Sequence, residues 1–114
     1  MALNVYNFII KQGETFSKVI TWNESDGSPI NLTSYTARMF LKRAVTDTTS
    51  LFDLTTVNSR IALGGAAGTI TLSVSATDTA SLSGEYVYDL ELVNGSVVKR
   101  LLQGRVKVDD EVTK

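Results

Sequence analysis

Apolar and polar residues alternate with a period of two over most of this chain. That spacing sends successive side chains to opposite faces of a β-strand. The alternation predicts eight strands, over residues 5–10, 15–22, 36–43, 51–55, 60–63, 69–74, 85–93 and 97–108. In the second, Phe16, Ile20 and Trp22 share a face; in the third, Ala37, Met39 and Leu41 point one way and Arg38, Phe40 and Lys42 the other. Asp26-Gly27, followed by the single proline Pro29, marks a turn after the second strand. Short strands with turn signals between them predict an all-β fold: one antiparallel β-sandwich, jelly-roll or Ig-like. Residues 1–10 form an N-terminal strand or arm, 11–108 the sandwich and 109–114 a C-terminal tail.

The last two strands form a hairpin around Asn94-Gly95-Ser96. A two-residue Asn-Gly turn would set Leu90 against Lys99 and Tyr86 against Gln103, mixing core with solvent. A three-residue loop instead pairs Leu92 with Val98, Tyr88 with Leu102 and Tyr86 with Gly104 on one face, and Glu91 with Lys99 and Glu85 with Arg105 on the other. The three-residue loop is therefore expected, with Gly104 leaving room for the Tyr86 ring and Arg100 opposite Leu90 as a residual misfit. Upstream, Ser75 followed three residues later by Asp78 imitates a capping box, which predicts at most one helical turn near residues 75–82.

The run Gly64-Gly65-Ala66-Ala67-Gly68-Thr69 is rich enough in glycine to suggest a phosphate loop. Its chemistry is wrong for one. A P-loop needs a lysine after its last glycine and a helix whose N-terminus faces the anion. Here no lysine follows, and the next segment alternates as a strand. A Rossmann fingerprint fails for the same reason. The glycines serve a tight turn between two strands.

Composition narrows the chemistry further. The 114 residues are the size of one domain and contain neither cysteine nor histidine. Thiolate metal sites, disulfides and the commonest general base are excluded. The formal charge is −1, from 11 basic and 12 acidic side chains, and the basic residues are dispersed. Nucleic acid is not an expected partner of such a chain, and no apolar run is long enough to suggest a membrane partner. Asp89 and Glu91 share a strand face and are the best acid–base candidates, but Lys99 and Arg105 are expected to neutralise that face. Asp26, Asp47, Asp53 and Asp78 are scattered without calcium-loop spacing. No catalytic, cofactor-binding or metal residue is therefore assigned, no cofactor is expected, and the chain is read as a non-enzyme.

Two features point instead to contact with other proteins. The first strand is apolar on both faces, with Tyr6, Phe8 and Ile10 on one and Val5 and Ile9 on the other; such a strand is either central or covered by a partner. Phe40 points away from Met39 and Leu41, between Arg38 and Lys42. Val5, Tyr6, Phe8, Ile9, Ile10 and Phe40 are the candidate interface residues. Trp22, Phe16, Tyr86 and Tyr88 are expected to fill the core.

Several phrases together resemble a family of small tailed-phage virion proteins. They are Ile10-Lys11-Gln12-Gly13-Glu14-Thr15-Phe16, the run from Asp26-Gly27-Ser28-Pro29 through Leu32-Thr33-Ser34-Tyr35-Thr36-Ala37-Arg38, Gly68-Thr69-Ile70-Thr71-Leu72, Tyr86-Val87-Tyr88-Asp89-Leu90-Glu91-Leu92, and Leu101-Leu102-Gln103-Gly104-Arg105-Val106. The chain looks most similar to the capsid-decorating staple proteins of epsilon15-type podophages. That resemblance implies a homodimeric β-sandwich on the outer surface of the virion capsid, made in the host cytoplasm. Its partner would be a major capsid protein with the HK97-type fold, whose neighbouring subunits it would clamp. A tail or baseplate adaptor is the alternative within the same family. A carbohydrate-binding module is a further alternative, requiring exposed planar aromatics on one face, for which Phe40, Tyr6 and Tyr35 are the candidates.

Overall fold

The computed structural model describes residues 4–110 and shows two β-sheets packed face to face. The strands are β1 (Asn4–Val5), β2 (Phe8–Lys11), β3 (Phe16–Thr21), β4 (Thr36–Lys42), β5 (Phe52–Thr55), β6 (Ile61–Leu63), β7 (Thr69–Val74), β8 (Glu85–Asn94) and β9 (Val97–Asp109). The large sheet runs β1-β9-β8-β4-β5, with β2 also on β9, and the small sheet runs β3-β7-β6. The first three residues of the expected N-terminal arm and the last four of the expected tail lie outside the described residues. Asp109 closes β9.

β1 and β2 lie along β9 in one continuous parallel register, Val5 beside Gln103 and Phe8 beside Val106. They are two halves of one interrupted strand, which brings the described strands to the expected eight. Every other pairing is antiparallel. The interruption has a local cause. The Tyr6 carbonyl accepts a 2.6 Å hydrogen bond from the Tyr88 hydroxyl, and the Asn7 Oδ1 stands in by accepting from the Arg105 N–H at 3.0 Å. A Cβ on Gly104 would lie 2.3 Å from the Tyr6 carbonyl oxygen. Gly104 thus makes room for the N-terminal backbone, and it stands opposite Tyr88 rather than Tyr86.

The hairpin register corrects the expected one. Asn94 pairs with Val97, so the turn is the two-residue Gly95-Ser96, a turn one residue later than either considered from the sequence. A bulge between Leu90 and Glu91 then skips Leu101, so Leu90 faces Leu102 and Glu91 faces Arg100. The extra residue reverses which side chains point inward. The later turn removes the misfit of Arg100 against Leu90, and the bulge buries the adjacent Leu101 and Leu102 together.

Inward residues of both sheets form one core, from Ala37, Met39 and Leu41 on β4, Tyr86, Tyr88, Leu90 and Leu92 on β8, and Ile70, Leu72 and Val74 on β7. Phe8 of the large sheet meets Phe16 of the small one edge-on, with ring centroids 6.0 Å apart. Trp22 is buried against the half-buried Tyr35. The single α-helical turn, α1 (Ala76–Thr79), starts where the capping pattern predicts, with the Ser75 hydroxyl accepting from the Asp78 N–H at 3.2 Å. The Asp78 carboxylate turns away to Arg60 at 3.0 Å, so half of the capping box forms.

The glycine run is the β6–β7 turn, with a short 3-10 segment at Gly65–Ala67. Gly68 takes a left-handed conformation at φ 70°, and its carbonyl accepts from the Trp22 N–H at 2.8 Å. The Gly65 carbonyl accepts from the Leu32 N–H at 2.8 Å. The loop is docked on the connection between β3 and β4.

Candidate partner-binding surface

The outer face of the large sheet carries the side chains that alternate away from the core: Arg38, Phe40 and Lys42 on β4, Glu85, Val87, Asp89 and Glu91 on β8, and Gln103 and Arg105 on β9. The acids of β8 each meet an arginine of a flanking strand or of the hairpin arm. Glu91 binds Arg38 at 2.7 Å, Glu85 binds Arg105 at 3.0 Å and Asp89 lies 3.7 Å from Arg100. These partners replace the expected pairing of Glu91 with Lys99, because the Gly95-Ser96 turn sets Glu91 opposite Arg100. Asp89 and Glu91 do share the outer face, but each is turned to its own guanidinium. No group of three or more acids that could hold a metal ion occurs among the described residues.

Val87 breaks this ladder of charge. It stands between Lys42 and Arg105 in register, and around it two shallow depressions merge. One, of about 150 Å³, is lined by Phe40, Val45, Asp89 and Arg100; the other by Val5, Asn7, Val45 and Arg105; Val87, Tyr88 and Gln103 line both. Val45 is 83% exposed, Val5 67% and Phe40 38%. The result is an open aliphatic shelf with one aromatic ring, rimmed by the Asp89–Arg100 and Glu85–Arg105 ion pairs and by Lys42, which belongs to no ion pair among the described residues. An apolar centre inside a polar rim is the anatomy of a protein–protein contact.

The candidate interface residues divide among three places. Val5 and Phe40 come together on the shelf. Phe8 and Ile10 face the core, where Phe8 meets Tyr88 as well as Phe16. Tyr6 and Ile9 lie at the open edge of the large sheet, Tyr6 partly exposed with its ring 4.8 Å from Phe8 and Lys18 5.1 Å above it. Val45 and Val87 were missed by the sequence reading. Val87 sits at an ordinary outward position and Val45 in a loop, so only the fold shows that they flank Phe40.

The aromatics do not form a platform. Phe40 is on the outer face, Tyr6 at the sheet edge and Tyr35 against Trp22. The phenol of Tyr88 is pushed above its ordinary ionisation range, first by burial and then by the neighbouring Tyr6. The Asp26 carboxyl is held below its ordinary range by hydrogen bonds from Ser28, within its own surface turn.

Comparison with known proteins leaves the family open. No protein family and no curated protein matches the chain. Among solved structures, it is similar to an endo-fucoidan hydrolase of glycoside hydrolase family 107, at 12% identity and a TM-score of 0.47. That likeness covers 95% of this chain, which spans 13% of the hydrolase's length.

Proposed function

We propose that this chain is a non-enzymatic phage structural protein that binds the outside of an HK97-type capsid as a homodimer and clamps neighbouring major capsid protein subunits. The observation that carries the reading is the shelf of Val5, Phe40, Val45 and Val87, bordered by ion pairs and by Lys42 as its one cation without an ion-pair partner among the described residues. Aliphatic side chains in an open depression suit a flat protein partner better than a small polar ligand, which needs an enclosing pocket with convergent polar groups. The resemblance to capsid staples supplies the identity of that partner. A two-fold clamp would present two such faces, so modest contacts gain strength through avidity.

The test is the stoichiometry of purified particles by quantitative mass spectrometry. The expected result is copy numbers on the scale of the shell subunits. Copy numbers on the scale of a tail ring would make the chain a tail or baseplate adaptor, and absence from the particle would remove the virion reading altogether.

A further inference from the structure

The two ends of the large sheet are finished differently. At the β5 end, the backbone groups that alternate away from β4 are taken up by the chain itself. The Asn58 Oδ1 accepts from the Thr55 N–H at 3.0 Å, its Nδ2 donates to the Asp53 carbonyl at 3.0 Å, and Arg60 donates to the same carbonyl at 2.9 Å. One side-chain amide thus offers the donor and acceptor that a further strand would offer, and closes that edge.

The β2 end is closed only at its last residue, where the Glu14 N–H donates to the Lys11 carbonyl at 3.1 Å. The Gln12 N–H donates to the Asp109 carbonyl at 2.9 Å, and alternation along the parallel ladder turns the N–H groups of Phe8 and Ile10 toward β9. The N–H groups of Ile9 and Lys11 then point away from it. Among the described residues, no side chain caps the backbone of Ile9, no proline or bulge interrupts β2, and the Ile9 side chain is 60% exposed.

The charges along this edge are polarised. Lys18 lies at the Tyr6 end, whereas Glu14 follows β2 at the other and Asp109 closes β9 beside Lys11. None of Lys18, Lys11, Glu14 and Asp109 belongs to an ion pair among the described residues, so the Lys11 end carries two acids against one base and the Tyr6 end carries Lys18. Next to Glu14, a cleft of about 250 Å³ opens between β2 and β3, lined by Ile9, Lys11, Thr15 and Phe16.

We infer that the β2 edge pairs antiparallel with the β2 edge of a second copy, joining two large sheets across a two-fold axis near Ile9. Antiparallel pairing sets the basic end of one edge against the acidic end of the other, bringing Lys18 toward Glu14 of the second copy twice over. It also joins the open donors of Ile9 and Lys11 to acceptors of the same kind of strand, and it covers Ile9 with its own counterpart. The inference rests on the self-association in the proposed function and specifies its seam; it leaves the outer shelf free.

Sedimentation velocity and amide hydrogen exchange on the purified full chain test it. The expected result is a reversible dimer in which exchange at Ile9 and Lys11 slows at least tenfold as concentration rises. Ile9→Pro removes a donor that points away from β9, so it should melt like the parent and sediment as a monomer. Glu14→Lys should weaken the dimer, and adding Lys18→Glu should restore it. A chain that stays monomeric overturns the seam, as does a dimer whose Ile9 and Lys11 amides exchange at a concentration-independent rate or one that Ile9→Pro leaves intact. If Ile9→Pro does not fold, the exchange measurement on the parent still decides. A monomer that nonetheless occupies the shell would fail this inference while leaving the capsid reading in place.

Discussion

Tyr88 shows how one side chain can join the ends of the chain to its centre. Its ring fills the core beside Phe8, and its hydroxyl holds the carbonyl of Tyr6, 82 residues away in sequence. Burial raises its ionisation above the ordinary value of 10.0, so the folded protein resists losing this proton more than the unfolded chain does. Stability from this group is therefore fully present below pH about 10 and is lost as the pH climbs from there toward the raised value. Denaturant titrations from pH 8 upward should show that alkaline loss. Tyr88→Phe should flatten it, while costing about 0.5–1.5 kcal/mol at neutral pH for the hydrogen bond. Gly68 offers a second test at this scale. A Cβ there would stand 2.7 Å from the Trp22 carbonyl oxygen on a left-handed backbone. Gly68→Ala should cost about 1–3 kcal/mol in chemical denaturation, combining crowding with backbone strain.

At the scale of elements, the strand positions were legible because a strand buried on one face writes its own period of two. The pairing between strands was not. The hairpin around Gly95-Ser96 could be aligned only by matching apolar residues, and a bulge at Leu101 makes any single alignment fail along half its length. Leu101-Leu102 was the visible trace of that bulge, since two adjacent buried leucines break strict alternation. The parallel docking of β1 and β2 on β9 was invisible for a different reason: it depends on the space at Gly104 and on the Tyr88 bond, both long-range. The candidate surface was half legible. Phe40 and Val5 stood out by facing the wrong way for a core, but Val45 and Val87 gain their meaning only from neighbours across strands. The closed β5 edge was equally hidden, because Asn58 reads as a loop residue until its amide is seen on Asp53 and Thr55. Asn58→Ala should leave the Thr55 N–H to solvent and the Asp53 carbonyl to Arg60 alone, and cost about 1 kcal/mol, measured by thermal or chemical unfolding. It should also raise aggregation on heating, as an uncapped edge becomes available for pairing.

At the scale of the whole molecule, the sandwich separates its two proposed contacts. The outer shelf spreads over the face of β4, β8 and β9 and reaches Val5 on β1, whereas the open backbone edge lies along β2, so a second copy on the edge and a shell on the face can be engaged together. The shelf is the more direct of the two to test, because its residues contribute little to the core. Val45 is almost wholly exposed in its loop, and charge placed there should change folding stability by about 0.5 kcal/mol or less. Phe40 is mostly covered and stands between Asp53 and Asp89 in register, so an acid there also meets like charge. A carboxylate at position 40 or 45 would instead be buried unpaired beneath the partner, among arginines that already have acids of their own. Truncation or charge at the centre of an interface commonly costs about 2 kcal/mol or more in binding, and each 1.4 kcal/mol is about tenfold. Val45→Asp should therefore retain the parent's melting temperature, Phe40→Asp should melt lower but stay folded, and both should lose at least about tenfold in affinity for assembled shells, read below their melting points by co-sedimentation with particles stripped of the chain. Asp78→Asn, on the far side at the Arg60 contact, should bind as the parent does. Equal binding by all three would move the shell contact off this face.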